Sequence, residues 1–217
     1  ERVPDAADPD APPGGRTRDP RMWREPLAWA VAVFLGCQSI SYYAVTAWLP
    51  TLLIEDVGVA PDLAGGAMSA FQLLGIGGTL LIPLLSGRRP NQSWLGLGIV
   101  CGWVVLGVGL LLWPSAWPAW VAVGGVVQGA GISFAFTVLV LRAHDAAAAR
   151  SLSSMVQLVG YSLGAAGPVA FGALFGATGG WTAPLLLLLA VSVAMAVSGW
   201  AAGRNRTVGA PSAVPSR

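Results

Sequence analysis

The stretch Trp94 to Trp113, WLGLGIVCGWVVLGVGLLLW, runs for twenty residues without a charged side chain. At 1.5 Å rise per residue, a helix of about 20 residues crosses a hydrocarbon core of about 30 Å. Buried helices of soluble folds are usually much shorter. The residues that follow, Trp113, Pro114, Trp117, Pro118 and Trp120, place three amphipathic rings in one tight turn, the composition of a membrane-water interface. Working outward, five more charge-free stretches appear, at about 27–50, 63–85, 119–141, 152–176 and 182–202. The chain of 217 residues is 55% hydrophobic and 10% charged, with a mean hydropathy of +0.67. An ordinary globular chain carries roughly 25% charge, so the composition belongs to a lipid-embedded protein. The expected fold class is an all-α membrane protein of six transmembrane helices.

The local signals agree with this division. Asp62, after Pro61, falls in the first turn of the second span, where a carboxylate meets unpaired amides and the positive end of the helix dipole. Ser93 is positioned to cap the third span, and the first is expected to close near Pro50. Pro184 is tolerable in the first turn of the sixth. Residues 1–25 are polar, Pro-rich and mixed in charge, with no apolar run of a secretory signal. Beginning at Glu1, they read as a disordered linker that follows something upstream, and residues 204–217 read as a disordered tail.

All twelve basic residues are arginine: five in the opening segment, Arg88 and Arg89 in the second loop, Arg142 and Arg150 in the fourth, and three in the tail. The three intervening loops have none. Short loops retaining arginine stay on the cytoplasmic side, which predicts an inner-membrane protein with both termini cytoplasmic. The net charge of +2 is confined to loops and tails, so nucleic acid is not an expected partner. Cys37 and Cys101 both fall inside spans and read as packing residues, with no disulfide framework.

All ten acids and the one histidine, His144, lie outside the spans. A proton relay, a charged selectivity ring or an intramembrane protease would normally place such groups at depth. No metal site, cofactor or enzymatic function is expected, since His144 has no second ligand and no nucleophile and base can be paired within the spans. The buried polarity is uncharged and uneven. The first, second, fourth and fifth spans carry Gln38, Gln72, Gln128 and Gln157, while the third and sixth carry no glutamine.

Gln38, Tyr42 and Thr46 stack on one helical face, with Ser39 and Tyr43 beside them, and the fifth span repeats the pattern with Gln157 and Tyr161. Amides and phenols donate and accept hydrogen bonds without fixed charge, which suits a small polar or anionic solute. The same side chains can serve only to join helices. In the fourth span, Ser133 and Thr137 share a face from which Gln128 is turned away by roughly half a turn. Gly98 and Gly102, Gly125 and Gly129, Gly160 and Gly164, and Gly172 and Gly176 are spaced for close helix packing. Gly167-Pro168 removes a backbone hydrogen bond mid-span, a place for a bend.

These segments resemble the cyanate-permease group, the cyanate and 2-nitroimidazole transporter type, of the major facilitator superfamily. The likeness is carried by Gln38-Ser39 with Tyr42-Tyr43 and Trp48-Leu49-Pro50, by Phe71-Gln72 with Gly75-Ile76, and by Gly129, Gly131 and Phe134 running to Leu141-Arg142. It continues through Leu152-Ser153, Met155, Gln157 and Gly160-Tyr161, then Gly167-Pro168, and Thr178-Gly179-Gly180-Trp181 with Pro184. The resemblance implies one half of a twelve-helix fold, here the carboxy-terminal half, with solute bound at midplane between two six-helix halves. Its partner is then a missing amino-terminal half or a second copy of the chain. In that pattern the first, second, fourth and fifth helices line the path, in agreement with the glutamines. One departure stands out: Ser86-Gly87-Arg88-Arg89 has glycine where the superfamily usually has the acid of an Asp-Arg pair.

The expected function is therefore a secondary transporter that moves a small anionic or polar nitrogen-containing solute, cyanate-like, by alternating access. Gln38, Tyr42, Tyr43, Gln72, Gln128, Gln157 and Tyr161 are the candidate contacts. The alternative is a non-transporting membrane scaffold or assembly subunit.

Overall fold

The computed structural model describes residues 20–87 and 91–208. The expectations for residues 1–19, for Arg88 and Arg89, and for residues 209–217 lie outside the described residues. Among the described residues there are six long apolar helices: α1 (Pro26–Glu55), α2 (Pro61–Ser86), α3 (Ser93–Leu112), α4 (Trp117–Arg142), α5 (Ala146–Thr178) and α6 (Thr182–Gly203). Their connections hold too few residues to span a bilayer in extended form, so consecutive helices alternate in direction. The beginnings of α1, α3 and α5 and the ends of α2, α4 and α6 share one end of the bundle, called here the near end.

The closest pairings are α1 with α5, α2 with α4, and α3 with α6, followed by α1 with α6 and α3 with α4. This pattern is unchanged when the first three helices are exchanged with the last three. α1 and α4 hold the centre. Of their most apolar windows 61% is buried, against 22% for α2 and α5, which flank the bundle and are the most exposed of the six. On α2 the buried residues Ala64, Ala67, Phe71, Gly75, Gly78 and Ile82 recur every three or four positions as a single stripe toward α4.

Several boundaries differ from those expected. α1 continues through Pro50 to Glu55, because buried Leu49, Leu52 and Leu53 hold its last turn against the core and Asp56 N–H closes on the Leu52 carbonyl at 2.9 Å. α5 begins six residues before the apolar run does: Asp145 caps it, accepting from Ala148 N–H at 2.8 Å, and an alanine-rich turn leads into the span. Ser93 is not a cap. Asn91 Oδ1 accepts the Ser93 N–H at 2.9 Å, while the Ser93 hydroxyl donates to the Trp200 carbonyl on α6 at 2.7 Å. Asp62 lies in the first turn of α2 as expected.

Residues expected to be disordered are ordered in part. Pro20–Arg24 forms a 3-10 turn with Met22 buried, and Trp23 meets Trp29 edge to face at 5.9 Å. At the other terminus Val208 is buried and bridges Ala143, with Val208 N–H donating to the Arg142 carbonyl at 2.7 Å. Arg142 itself is not a loop residue. It ends α4, 3% exposed, and its guanidinium donates to Gln92 Oε1, to the Gly203 carbonyl at 2.9 Å and to Asn205 Oδ1 at 3.3 Å. One side chain thus joins the near ends of α3, α4 and α6.

The glycine spacings divide by what they meet. Gly125 and Gly129 approach the backbone of α2, Gly160 fits Leu35, and Gly164 fits Ser39 and Tyr43. Gly98 and Gly176 face open space, so each of those pairs contributes one packing glycine, Gly102 against Val127 and Gly172 against Trp48.

Candidate solute-contact site

The polar side chains at mid-depth fall into a closed set inside the bundle and an open set on its exposed face. Gln38 on α1 is fully buried. Its Nε2 donates to the Gln128 carbonyl on α4 at 2.9 Å, and its Oε1 accepts from Trp103 Nε1 on α3 at 2.9 Å. Gln128, 6% exposed, donates in turn to the Phe71 carbonyl on α2 at 3.4 Å. A buried amide left without partners costs about 1–3 kcal/mol, which is why both ends of the Gln38 amide are engaged.

Glycines make the room. A Cβ at Gly131 would overlap the Gln38 amide, and one at Gly75 would overlap the Gln128 amide. Each glutamine therefore lies in a notch that the neighbouring helix opens by having no side chain. Together these contacts join α3, α1, α4 and α2 in one hydrogen-bonded row. Trp103, fully buried, was not among the residues singled out from the sequence. Its signal was a tryptophan far from either interface, whose N–H must find a partner in the core.

The open set starts at Tyr42, half-buried on α1, whose phenol oxygen accepts from Gln72 Nε2 on α2 at 3.0 Å. Tyr43 follows, 38% exposed, its ring 5.2 Å from that of Tyr42 and lying against the bare backbone of Gly164 on α5. Tyr161, 41% exposed, stands one turn before Gly164 on the same helix. The chain has three tyrosines, and all three are here. Gln157, half-buried, donates to Ser153 Oγ at 2.6 Å within its own helix. Thr46 Oγ1 is buried and has no hydrogen-bond partner among the described residues.

On the near side, Ser133 and Thr137 share a groove of about 500 Å³ with Thr79, Phe136 and Val140, while Gln128 points elsewhere. The Ser133 hydroxyl is already given to the Thr79 carbonyl at 2.8 Å. On the far side, Trp48 Nε1 donates to the Pro168 carbonyl at 2.9 Å, and its indole covers Gly172 and packs with Phe175 and Trp181. This ties the segment of α5 beyond the Gly167-Pro168 step to α1. Of the seven candidate residues, Tyr42, Tyr43, Gln72 and Tyr161 lie along the open face, Gln38 and Gln128 lie in the closed row, and Gln157 is half-buried and bonded within its own helix. Among the described residues no cluster of three or more His, Cys, Asp or Glu could hold a metal ion.

Six apolar helices around uncharged polar side chains define a multi-pass membrane protein. Comparison with known proteins gives its kinship. The chain is 35% identical over 189 residues to the uncharacterized transporter YycB of Bacillus subtilis (strain 168), and 36% identical over 187 residues to the 2-nitroimidazole transporter of Escherichia coli (strain K12). Each match covers 86% of this chain and 47% of the relative. A shorter match, 38% identical over 109 residues, covers 50% of this chain and 66% of a candidate anionic 4-hydroxy-benzoate permease of Thauera aromatica. No family model and no solved structure matches. The chain is similar in sequence to these transporters and permeases, and it spans about half the length of the first two. The relatives are transporters by name, not enzymes.

Proposed function

We propose that this chain forms the carboxy-terminal six-helix half of a bacterial secondary transporter of the major facilitator type. It carries a small anionic or polar nitrogen-containing solute by alternating access. The observation that carries the reading is the Tyr42–Gln72 pair, an uncharged polar contact between α1 and α2 at mid-depth on the open face. The exchange of the first three helices with the last three, which leaves the helix pairing unchanged, supports it, because transporter halves are commonly built from inverted three-helix repeats. The relatives' names support a small solute as cargo; cyanate, an anion of that size, is one candidate.

On this reading the open face of α1, α2 and α5 receives a second six-helix half, either an upstream segment or another copy of the chain, and the solute binds between them. The arginine distribution supports an inner-membrane location with both termini cytoplasmic. Gln38 and Gln128 then hold the half together, and Tyr42, Tyr43, Gln72 and Tyr161, with Gln157, are the proposed contacts. The test is uptake of labelled cyanate and of a labelled 2-nitroimidazole into vesicles containing the full-length protein. Saturable uptake of either supports the transporter. Uptake no greater than in empty vesicles, with no thermal stabilisation by either compound, supports the scaffold alternative instead.

A further inference from the structure

We propose that the near end of α6 holds the headgroup of an anionic phospholipid, with Arg204 and Arg206 on its phosphate and the exposed face of α6 against its acyl chains. This requires the membrane-embedded bundle and not the transporter reading. Trp200 lies in the last turn of α6, 49% exposed, and the Arg204 guanidinium carbon sits 4.8 Å from the centroid of its ring. An indole attracts a cation but supplies it no oxygen acceptor. Among the described residues neither Arg204 nor Arg206 gives its guanidinium to a carboxylate or a carbonyl.

Unpaired guanidiniums are ordinary at a surface; what marks these two is that the segment carrying them is held in place. Asn205 Oδ1, between them, accepts from the buried Arg142 at 3.3 Å, and Arg206 N–H donates to the Arg204 carbonyl at 2.8 Å. Val208, two residues on, is buried and bridged to Ala143, and the Ser93 hydroxyl fixes the Trp200 carbonyl from α3 at 2.7 Å. Two forked donors are thus carried on an anchored turn, and phosphate oxygens are the acceptors that such forks match.

The surface leading to this turn selects a lipid over a free phosphate. Val193, Val197 and Trp200, at i, i+4 and i+7, share one face of α6 and are 66%, 67% and 49% exposed, so apolar surface runs from mid-helix up to the indole beside Arg204. Tryptophan settles at the level of the headgroups, where lipid phosphates lie. Charge then selects the headgroup. Residues 146–208 hold Arg150, Arg204 and Arg206 and no Asp or Glu, and Asp145, just before them, already accepts the Ala148 N–H. α6 and the segment after it offer no carboxylate to the ammonium of a zwitterionic headgroup, which favours a phosphate whose charge is uncompensated.

The experiment titrates the full-length protein, in uncharged detergent, with phosphatidylglycerol, with phosphatidylethanolamine of the same chains and with glycerol 1-phosphate, and follows the unfolding midpoint. The expected result is saturable stabilisation by phosphatidylglycerol at a concentration roughly five- to thirtyfold below that for phosphatidylethanolamine, the range of one or two arginine-headgroup attractions. Combining Arg204→Gln with Arg206→Gln should erase that preference. The Arg204→Lys, Arg206→Lys pair should retain most of it, which separates lost charge from lost folding, and Arg150→Gln, at the same end of the bundle, should retain all of it. Equal effects of the two lipids overturn the proposal, as does a preference that survives the paired glutamines or is lost equally in Arg150→Gln. Stabilisation by glycerol 1-phosphate equal to that by phosphatidylglycerol overturns it in favour of a small-anion site. None of these outcomes bears on solute uptake, so the transporter reading is tested separately.

Discussion

The indole N–H of Trp103, on α3, donates to the amide oxygen of Gln38, on α1, at 2.9 Å, with both side chains fully buried. A helix with no glutamine of its own thereby fixes the orientation of the deepest amide in the bundle. Trp103→Phe keeps the ring and removes the donor. It is expected to lower unfolding stability in detergent by about 1 kcal/mol, because Gln38 Oε1 is left without its partner. An unchanged unfolding midpoint would show that the amide finds another donor.

The two glycine notches predict a contrast along α2 and α4. Gly75→Ala and Gly131→Ala push a methyl into the amides of Gln128 and Gln38, so each should destabilise by about 1–3 kcal/mol, measured by thermal unfolding. Gly66 and Gly77 have open space beyond their Cα atoms. Within this half Gly66→Ala should be neutral or slightly stabilising, since alanine is the better helix former.

Asp145 provides a pH dependence. It accepts the Ala148 N–H at the start of α5, and that bond is the main reason its pKa lies below the ordinary aspartate value. A depressed folded-state pKa contributes stability that is fully present above the unfolded pKa and lost as pH falls through the folded one. Amide exchange in the first turn of α5 should therefore accelerate, relative to the intrinsic rate, on acidification below the usual aspartate range. In Asp145→Asn, which can still cap, that acceleration should be absent.

Arg142 predicts a localised loss. Arg142→Ala removes the charged donor shared by Gln92, Gly203 and Asn205, and is expected to cost on the order of 2–3 kcal/mol. Hydrogen exchange should rise at the near ends of α3 and α6 and leave the Trp48 cluster at the far end unaffected.

Much of the bundle was legible because lipid imposes a simple rule: an apolar run of sufficient length becomes a helix. Five of the six expected spans begin and five end within three residues of a helix terminus, but the rule reads membrane thickness, not helix length. α1 past Pro50 and α5 before Leu152 escaped it because those turns are set by burial of Leu52 and Leu53 and by the Asp145 cap. For the candidate contacts, helical periodicity separates Ser133 and Thr137 from Gln128, as the structure does. It places Gln38 on the same face as Tyr42 and Thr46. What it does not carry is depth: whether a glutamine meets a cavity or a glycine notch depends on the helix opposite. Gln38 meets Gly131, and Tyr42 meets Gln72, for reasons that lie in other spans. Arg142 likewise read as a loop charge because its partners come from two distant segments.

The central claim is a division of labour, with the row through Gln38 holding the half together and the face through Tyr42 meeting the solute. Uptake kinetics and unfolding midpoints measured together on full-length Tyr42→Phe and Trp103→Phe test it most directly. The account predicts a raised KM with an unchanged midpoint for Tyr42→Phe, and a lowered midpoint with an unchanged KM for Trp103→Phe. An unchanged KM in Tyr42→Phe, or a raised KM at unchanged midpoint in Trp103→Phe, would contradict it.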